Sequence, residues 1–185
     1  MKRVFVLSLA ALLLIPAFSN AKDLSGRLGL GYFNTDAPVG ARYWVNEKVG
    51  LDIGIGFEGI NDFYTDTSGT TSKETATSFW VEVGVPFVVF PTERANFSIR
   101  PGVVFAQLDD RVYGSGSLDE KWTRVTFSLM PMAEVFFGEH FSLEAGHGIM
   151  IDMISQPDAL GGESFTDFST FDASVTHLGF HFYFK

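Results

Sequence analysis

From Lys22 onward, apolar side chains recur at every second position, which is the period of a β-strand. The clearest run is Phe79, Val81, Val83, Val85, Phe87 and Val89, interleaved with Trp80, Glu82, Gly84, Pro86 and Val88. Val49, Leu51, Ile53, Ile55 and Phe57 alternate in the same way with Gly50, Asp52, Gly54, Gly56 and Glu58. Phe97 to Phe105 and Val125 to Phe137 repeat the pattern. Together the runs predict eight strands, near 24–33, 39–46, 49–59, 77–90, 96–108, 122–137, 140–153 and 173–185.

Short and long connections alternate between these strands. Asn46 to Lys48, Pro91 to Ala95 and Gly138-Glu139 read as tight turns. Residues 60–76, 109–121 and 154–172 read as long loops rich in Gly, Ser, Thr and Asp; Asn34 to Pro38 is the one short connection on that side. The turn residues Glu47, Glu93 and Glu139 recur at a constant interval. Such asymmetry is that of a barrel in the bacterial outer membrane, with short periplasmic turns and longer outer loops.

Residues 1–21 form a separate unit. Lys2 and Arg3 precede an apolar run from Val4 to Phe18, and Ser19-Asn20-Ala21 supplies small residues. This predicts a secretory signal peptide cleaved after Ala21, leaving 22–185 as one barrel domain. No later apolar run approaches the ~20 residues of a transmembrane helix. A tilted membrane strand takes about 9–11 residues, so the remaining length accommodates eight strands and their loops but not a sixteen-stranded porin.

Composition narrows the function classes. The chain has 185 residues, no Cys and a formal charge of −9. Without Cys there is no disulfide, thiolate metal site or cysteine nucleophile. The acidic balance argues against a nucleic-acid partner, since phosphate backbones are held mainly by Lys and Arg.

Alternation does not by itself say which face is inside. Three features select an apolar exterior. The polar faces are rich in glycine (Gly29, Gly31, Gly50, Gly54, Gly56, Gly84, Gly102, Gly146, Gly148 and Gly179), which weakens a water-exposed strand but fits the narrow lumen of a small barrel. The same faces carry both signs of charge: Arg27, Arg42, Arg100 and Arg124 with Asp52, Glu58, Glu82, Glu134, Glu144 and Asp152. These predict an interior ion-pair network, because buried charges persist only when paired. Aromatic residues gather near the strand ends: Phe90, Phe97, Phe136, Phe137, Phe141, Phe182 and Phe184 by the short turns, and Tyr32, Phe33, Phe57, Phe79, Trp80, Phe105 and Trp122 by the long loops. They predict two interfacial girdles.

The last strand, His177 to Phe184, places Leu178, Phe180, Phe182 and Phe184 on one face, with Lys185 following. This resembles the C-terminal strand of Gram-negative outer-membrane proteins, and Gly40 to Glu58 resembles a strand-turn-strand unit of small barrels of the OmpA/OmpX type. The resemblance implies an all-β, eight-stranded, antiparallel, up-and-down transmembrane β-barrel, exported to the bacterial outer membrane. It also implies as partners outer-membrane lipids, lipopolysaccharide included, and the barrel-insertion machinery, which reads those four C-terminal residues.

Catalytic and metal signals are sparse. His147 shares parity with Leu143, Ala145, Ile149 and Ile151, which aims it outward at lipid. Lipid A deacylases of the eight-stranded type use an outward Ser/His/Glu set with Ser two residues after the His; Ile149 stands there, so no catalytic residue is assigned. His177 and His181 share the inward face with Tyr183 and join the polar interior. Their backbones lie about 13 Å apart, too far for one zinc ion to join them. The acidic groups Asp62, Asp66, Asp109, Asp110, Asp119, Glu120, Asp158, Glu163, Asp167 and Asp172 lie at the loops without a Ca²⁺-binding spacing, and read as a solvated face.

The expected role is structural or interactive: a plugged barrel supporting envelope integrity, with acidic loops meeting a surface partner of unknown identity, and no enzyme, cofactor or metal site. The alternatives are a lipid A-modifying enzyme using His147 or His181, a narrow ion or small-solute pore, and a soluble lipocalin-like binder.

Overall fold

The computed structural model describes residues 22–32, 37–65, 69, 71–109, 121–156, 162–170 and 176–184. Segment 1–21, which the sequence reads as a signal peptide, lies outside these residues. So do Phe33, Asp66, Asp110, Asp119, Glu120, Asp158, Asp172 and Lys185. No helix among the described residues is long and apolar enough to cross a membrane, which says nothing of a barrel.

Eleven strand segments build one antiparallel sheet: β1 (Leu28–Tyr32), β2 (Val39–Trp44), β3 (Gly50–Thr65), β4 (Thr71–Gly84), β5 (Phe87–Pro91), β6 (Ala95–Asp109), β7 (Lys121–Phe137), β8 (Phe141–His147), β9 (Ile149–Ser155), β10 (Ser164–Ser169) and β11 (Thr176–Phe184). The sheet closes on itself in the order β1-β2-β3-β4-β6-β7-β8-β11 and back to β1. Closure removes the sheet edges that would otherwise leave backbone groups unpaired. The fold is thus an eight-stranded antiparallel barrel.

The remaining segments continue these staves or lie beside them. β4 and β5 are one stave interrupted at Val85-Pro86, where Pro86 has no N–H to donate. The wall holds across the break, since Gly50 N donates to Pro86 O (3.0 Å) and Val88 N to Lys48 O (2.8 Å). β8 and β9 keep one register against β7 on both sides of Gly148. β10 pairs with β9 outside the closed ring.

The loop reading of 60–76 and 154–172 is corrected. β3 and β4 pair in unbroken register from Asp52↔Gly84 to Thr65↔Thr71, so most of the first segment is hairpin. Its Thr and Ser residues suggested a loop, yet β-branched Thr is a good strand former. β10 occupies part of the second. The short turns are as expected, and Gly138 at the β7–β8 turn has φ 81°, a left-handed value that favours glycine.

The three evenly spaced glutamates have a structural meaning. Arg42↔Asp52, Phe87↔Ile99 and Glu134↔Glu144 are centred on Glu47, Glu93 and Glu139 respectively. Glu47 and Glu139 are each the pivot of a hairpin, whereas a register shift between Val88 and Phe90 leaves the pairs beside the second turn, Phe90↔Phe97 and Pro91↔Asn96, centred just past Glu93.

Outward residues form apolar rows across the wall. Leu30, Ala41, Ile53, Val83, Val103, Phe127 and Ile151 stand opposite one another from β1 to β9. Phe57 is 77% exposed and Leu178 65%, whereas Asp52, Arg100 and His181 are 0% exposed. Apolar groups therefore face out and charges face in, the reverse of a water-soluble protein's usual arrangement.

Candidate functional site

Inside the barrel the side chains lie in three layers. Near the short turns, Leu24, Trp44, Val88, Phe136 and Tyr183 form an apolar cluster. Near the long-loop end, Trp80, Val104, Ala106 and Leu108 form a second, with Trp122 packed against it. The ionic site lies between them. Burial at both ends lowers the local dielectric, which strengthens ion pairs but makes an unpaired charge costly.

Arg42 on β2 is the hub. Its Nε and Nη2 donate to the two oxygens of Asp52 on β3, at 2.6 and 2.8 Å. Its Nη1 donates to Glu144 Oε2 on β8 at 2.5 Å and reaches Glu134 Oε2 on β7 at 3.5 Å. Arg100 on β6 joins from the other side: Nε donates to Asp52 Oδ2 at 2.6 Å, and Nη2 lies 2.7 Å from Glu82 Oε1 on β4. The site thus ties β2, β3, β4, β6, β7 and β8 across the lumen.

Strand β11 completes it. His177 Nε2 donates to Glu144 Oε1 at 2.6 Å. His181 Nδ1 lies 3.9 Å from Glu134 Oε1 and 4.0 Å from Glu144 Oε2. Glu134 Oε1 also accepts from Ser142 Oγ (2.6 Å) and from the Tyr183 hydroxyl (2.7 Å), which itself accepts from Trp44 Nε1 at 3.2 Å. His177 and His181 therefore lean toward opposite oxygens of the Glu144 carboxylate, although their backbones are two strand repeats, about 13 Å, apart.

Glycine makes room for this packing. A Cβ on Gly84 would lie 2.3 Å from Arg100 Cζ, and one on Gly102 would lie 3.1 Å from Arg100 Nη1. A Cβ on Gly29 would lie 2.7 Å from the Tyr183 ring. The inward glycines are the niches into which the large polar side chains fold.

The structure brings Arg42, Asp52, Glu82, Arg100, Glu134, Glu144 and His181 into one site. It places four other predicted members elsewhere. Arg27 is half-buried at the short-turn rim, where Nη1 donates to Glu139 O at 3.0 Å. Lys22 sits beside it, donating to Gly138 O and lying 4.4 Å over the Phe136 ring. Burial, reinforced by Arg27, holds the Lys22 ammonium below its ordinary pKa. Glu58 is exposed on β3, and Arg124 is half-buried on β7. Asp152 on β9 accepts from Thr126 Oγ1 toward the long-loop end. Ser142 is a member that its residue type alone did not reveal.

Three girdle assignments are corrected. Trp80 and Phe136 are 4% and 6% exposed and belong to the internal apolar layers, and half-buried Trp122 packs against the layer of Trp80. Trp80 shares parity with Glu82, and Phe136 with Glu134, so both point inward. Asp109 is also buried rather than solvated, and its backbone N–H donates to Ser78 Oγ at 2.8 Å. Leu178, Phe180, Phe182 and Phe184, expected from the sequence to form an insertion signal, all lie exposed on the outer face of β11.

His147 is exposed on the outer face, with both ring nitrogens engaged. Nε2 donates to Thr170 O at 3.1 Å, and Nδ1 lies 3.0 Å from Thr176 Oγ1. The imidazole thus bridges the end of β10 and the start of β11.

Compared with protein-family models, curated proteins and solved structures, the chain matches none of them. Its class is therefore defined by architecture alone: a closed eight-stranded antiparallel barrel with an ionic interior between two buried apolar clusters.

Proposed function

We propose that the barrel spans the outer membrane of a Gram-negative cell as a structural and surface-interaction protein with a closed interior. The observation that carries this reading is the inversion of sides, with fully buried charges and an exposed apolar belt. Soluble monomers rarely expose contiguous apolar patches beyond a few hundred Å². Along β7, Phe127 to Phe137 rises about 33 Å along the strand, or about 25 Å along a barrel axis tilted at the usual angle, matching the apolar band of outer-membrane barrels.

The closed interior is supported by the layers of Trp44 and Trp80 on either side of the ion pairs. The structural role is supported by the engagement of His147, whose two nitrogens hold backbone and hydroxyl groups. Outer-membrane lipids, lipopolysaccharide included, would surround the belt, and the exposed Glu163 and Asp167 would meet a surface partner.

Density-gradient fractionation of the producing cell tests the proposal. The protein is expected in the dense outer-membrane fraction, with heat-dependent gel mobility and no steady conductance in a planar bilayer. Recovery in the soluble periplasmic fraction, or a steady conductance, would overturn it.

A further inference from the structure

At the β7–β8 hairpin two buried carboxylates, Glu134 and Glu144, stand directly opposite each other and both reach Arg42 Nη1, at 3.5 and 2.5 Å. Two carboxylates held this close in a buried setting favour a cation beside them.

The same place carries a metal-ligand geometry. Donor atoms of Glu134, Glu144 and His181 all lie within 4.8 Å of one another, and all three residues are buried. The His181 Nδ1 separations of 3.9 and 4.0 Å from the two carboxylates are longer than a hydrogen bond. They match two ligands of one ion: zinc bonds of roughly 2.0–2.2 Å put adjacent donors about 3.3 to 4 Å apart, depending on the bond angle.

The surroundings orient these groups as partners of metal ligands commonly do. Ser142 and Tyr183 donate to Glu134 Oε1, and His177 donates to Glu144 Oε1. Arg42 Nη1 donates to Glu144 Oε2, the oxygen that faces His181, and reaches Glu134 Oε2, so an ion bound there requires these contacts to lengthen; Arg42 keeps two hydrogen bonds to Asp52. It therefore remains paired if its contacts to the glutamates lengthen.

We infer that Glu134, Glu144 and His181 form a buried site for one divalent transition-metal ion. One nitrogen and two carboxylate donors favour zinc over calcium or magnesium, which prefer six or more oxygens. The site locks β7, β8 and β11 together, with all three ligand residues buried. It does not depend on where the barrel resides.

The test is refolding in detergent with zinc chloride, removal of loose metal on a chelating resin, and metal analysis of the heat-modifiable, folded form. The expected result is one zinc per chain. His181→Ala and Glu134→Gln should each reduce retention at least about tenfold. The exposed-histidine double variant His140→Ala/His147→Ala should retain it. If His181→Ala does not fold, His181→Gln keeps a polar side chain of similar reach and should show the same loss. X-ray absorption of the zinc form should show one imidazole among oxygen ligands. No stoichiometric zinc in the folded wild type, or zinc that persists in the folded His181 and Glu134 variants, would overturn the inference.

Discussion

Arg42 and Asp52 stand directly opposite each other across the first hairpin and share two hydrogen bonds, at 2.6 and 2.8 Å, in a fully buried setting. Asp52 also accepts from Arg100, so one carboxylate separates two guanidiniums. Replacing Asp52 with Asn leaves both arginines with much less compensation. Removing one partner of a buried ion pair costs about 3–5 kcal/mol. Urea unfolding of refolded Asp52→Asn should show a loss of this order; a change below about 1 kcal/mol would mean the pair contributes little.

Gly84 tests the packing of the same network. Its Cβ position lies 2.3 Å from the Arg100 guanidinium, whereas that of Gly59 meets nothing closer than 3.7 Å. Gly84→Ala should destabilise by about 1–3 kcal/mol, as overpacking does. Gly59→Ala should be close to neutral. Equal effects in urea unfolding would contradict the niche assigned to Gly84.

The exterior makes a depth-dependent prediction. Val83 lies in the middle of an outward apolar row, and Val45 lies beside a short turn. For a membrane barrel, Val83→Arg should cost about 2–4 kcal/mol and Val45→Arg about 0–1 kcal/mol. The comparison is made by unfolding in phospholipid vesicles, and no difference between the two would count against the assigned band.

His147 bridges Thr170 and Thr176. His147→Ala should lose about 0.5–1.5 kcal/mol, the usual contribution of such hydrogen bonds. The effect should be local. Hydrogen exchange should accelerate in β10 and at the start of β11, while β3 and β6 remain protected. Unchanged exchange in β10 would rule out the bridging role.

Much of this site could be read from the chain because hairpins obey simple arithmetic. Turns centred on Glu47 and Glu139 put Arg42 opposite Asp52 and Glu134 opposite Glu144, and parity points all four inward. The approach of Arg100 to Asp52 could not be read that way. The two residues lie on strands separated by β4, and they meet only because Gly84 and Gly102 leave a gap in the curved wall. The His181 geometry is hidden for a similar reason, since it depends on the closure of β11 against β8.

The apolar end layers were obscured by residue type. Trp80 and Phe136 lie at strand ends, where aromatics suggest an interface, yet their parity already placed them inside. Asp109 reads as a loop residue because β6 runs further than its apolar residues mark. The polar hairpin of β3 and β4 is hidden on the same principle: cross-strand pairing continues beyond the apolar belt, where hydropathy gives no signal.

The absence of cysteine permits a direct measurement of sidedness. Single cysteines at Ile53, Val83, Val103 and Phe127, which stand opposite one another across four staves, carry nitroxide labels in a phospholipid bilayer. Paramagnetic broadening by oxygen, which concentrates in the acyl region, is compared with that by a water-soluble nickel chelate. The account predicts that all four labels are open to oxygen and shielded from nickel. Labels broadened mainly by nickel, on protein that is folded and monomeric without detergent, would contradict it.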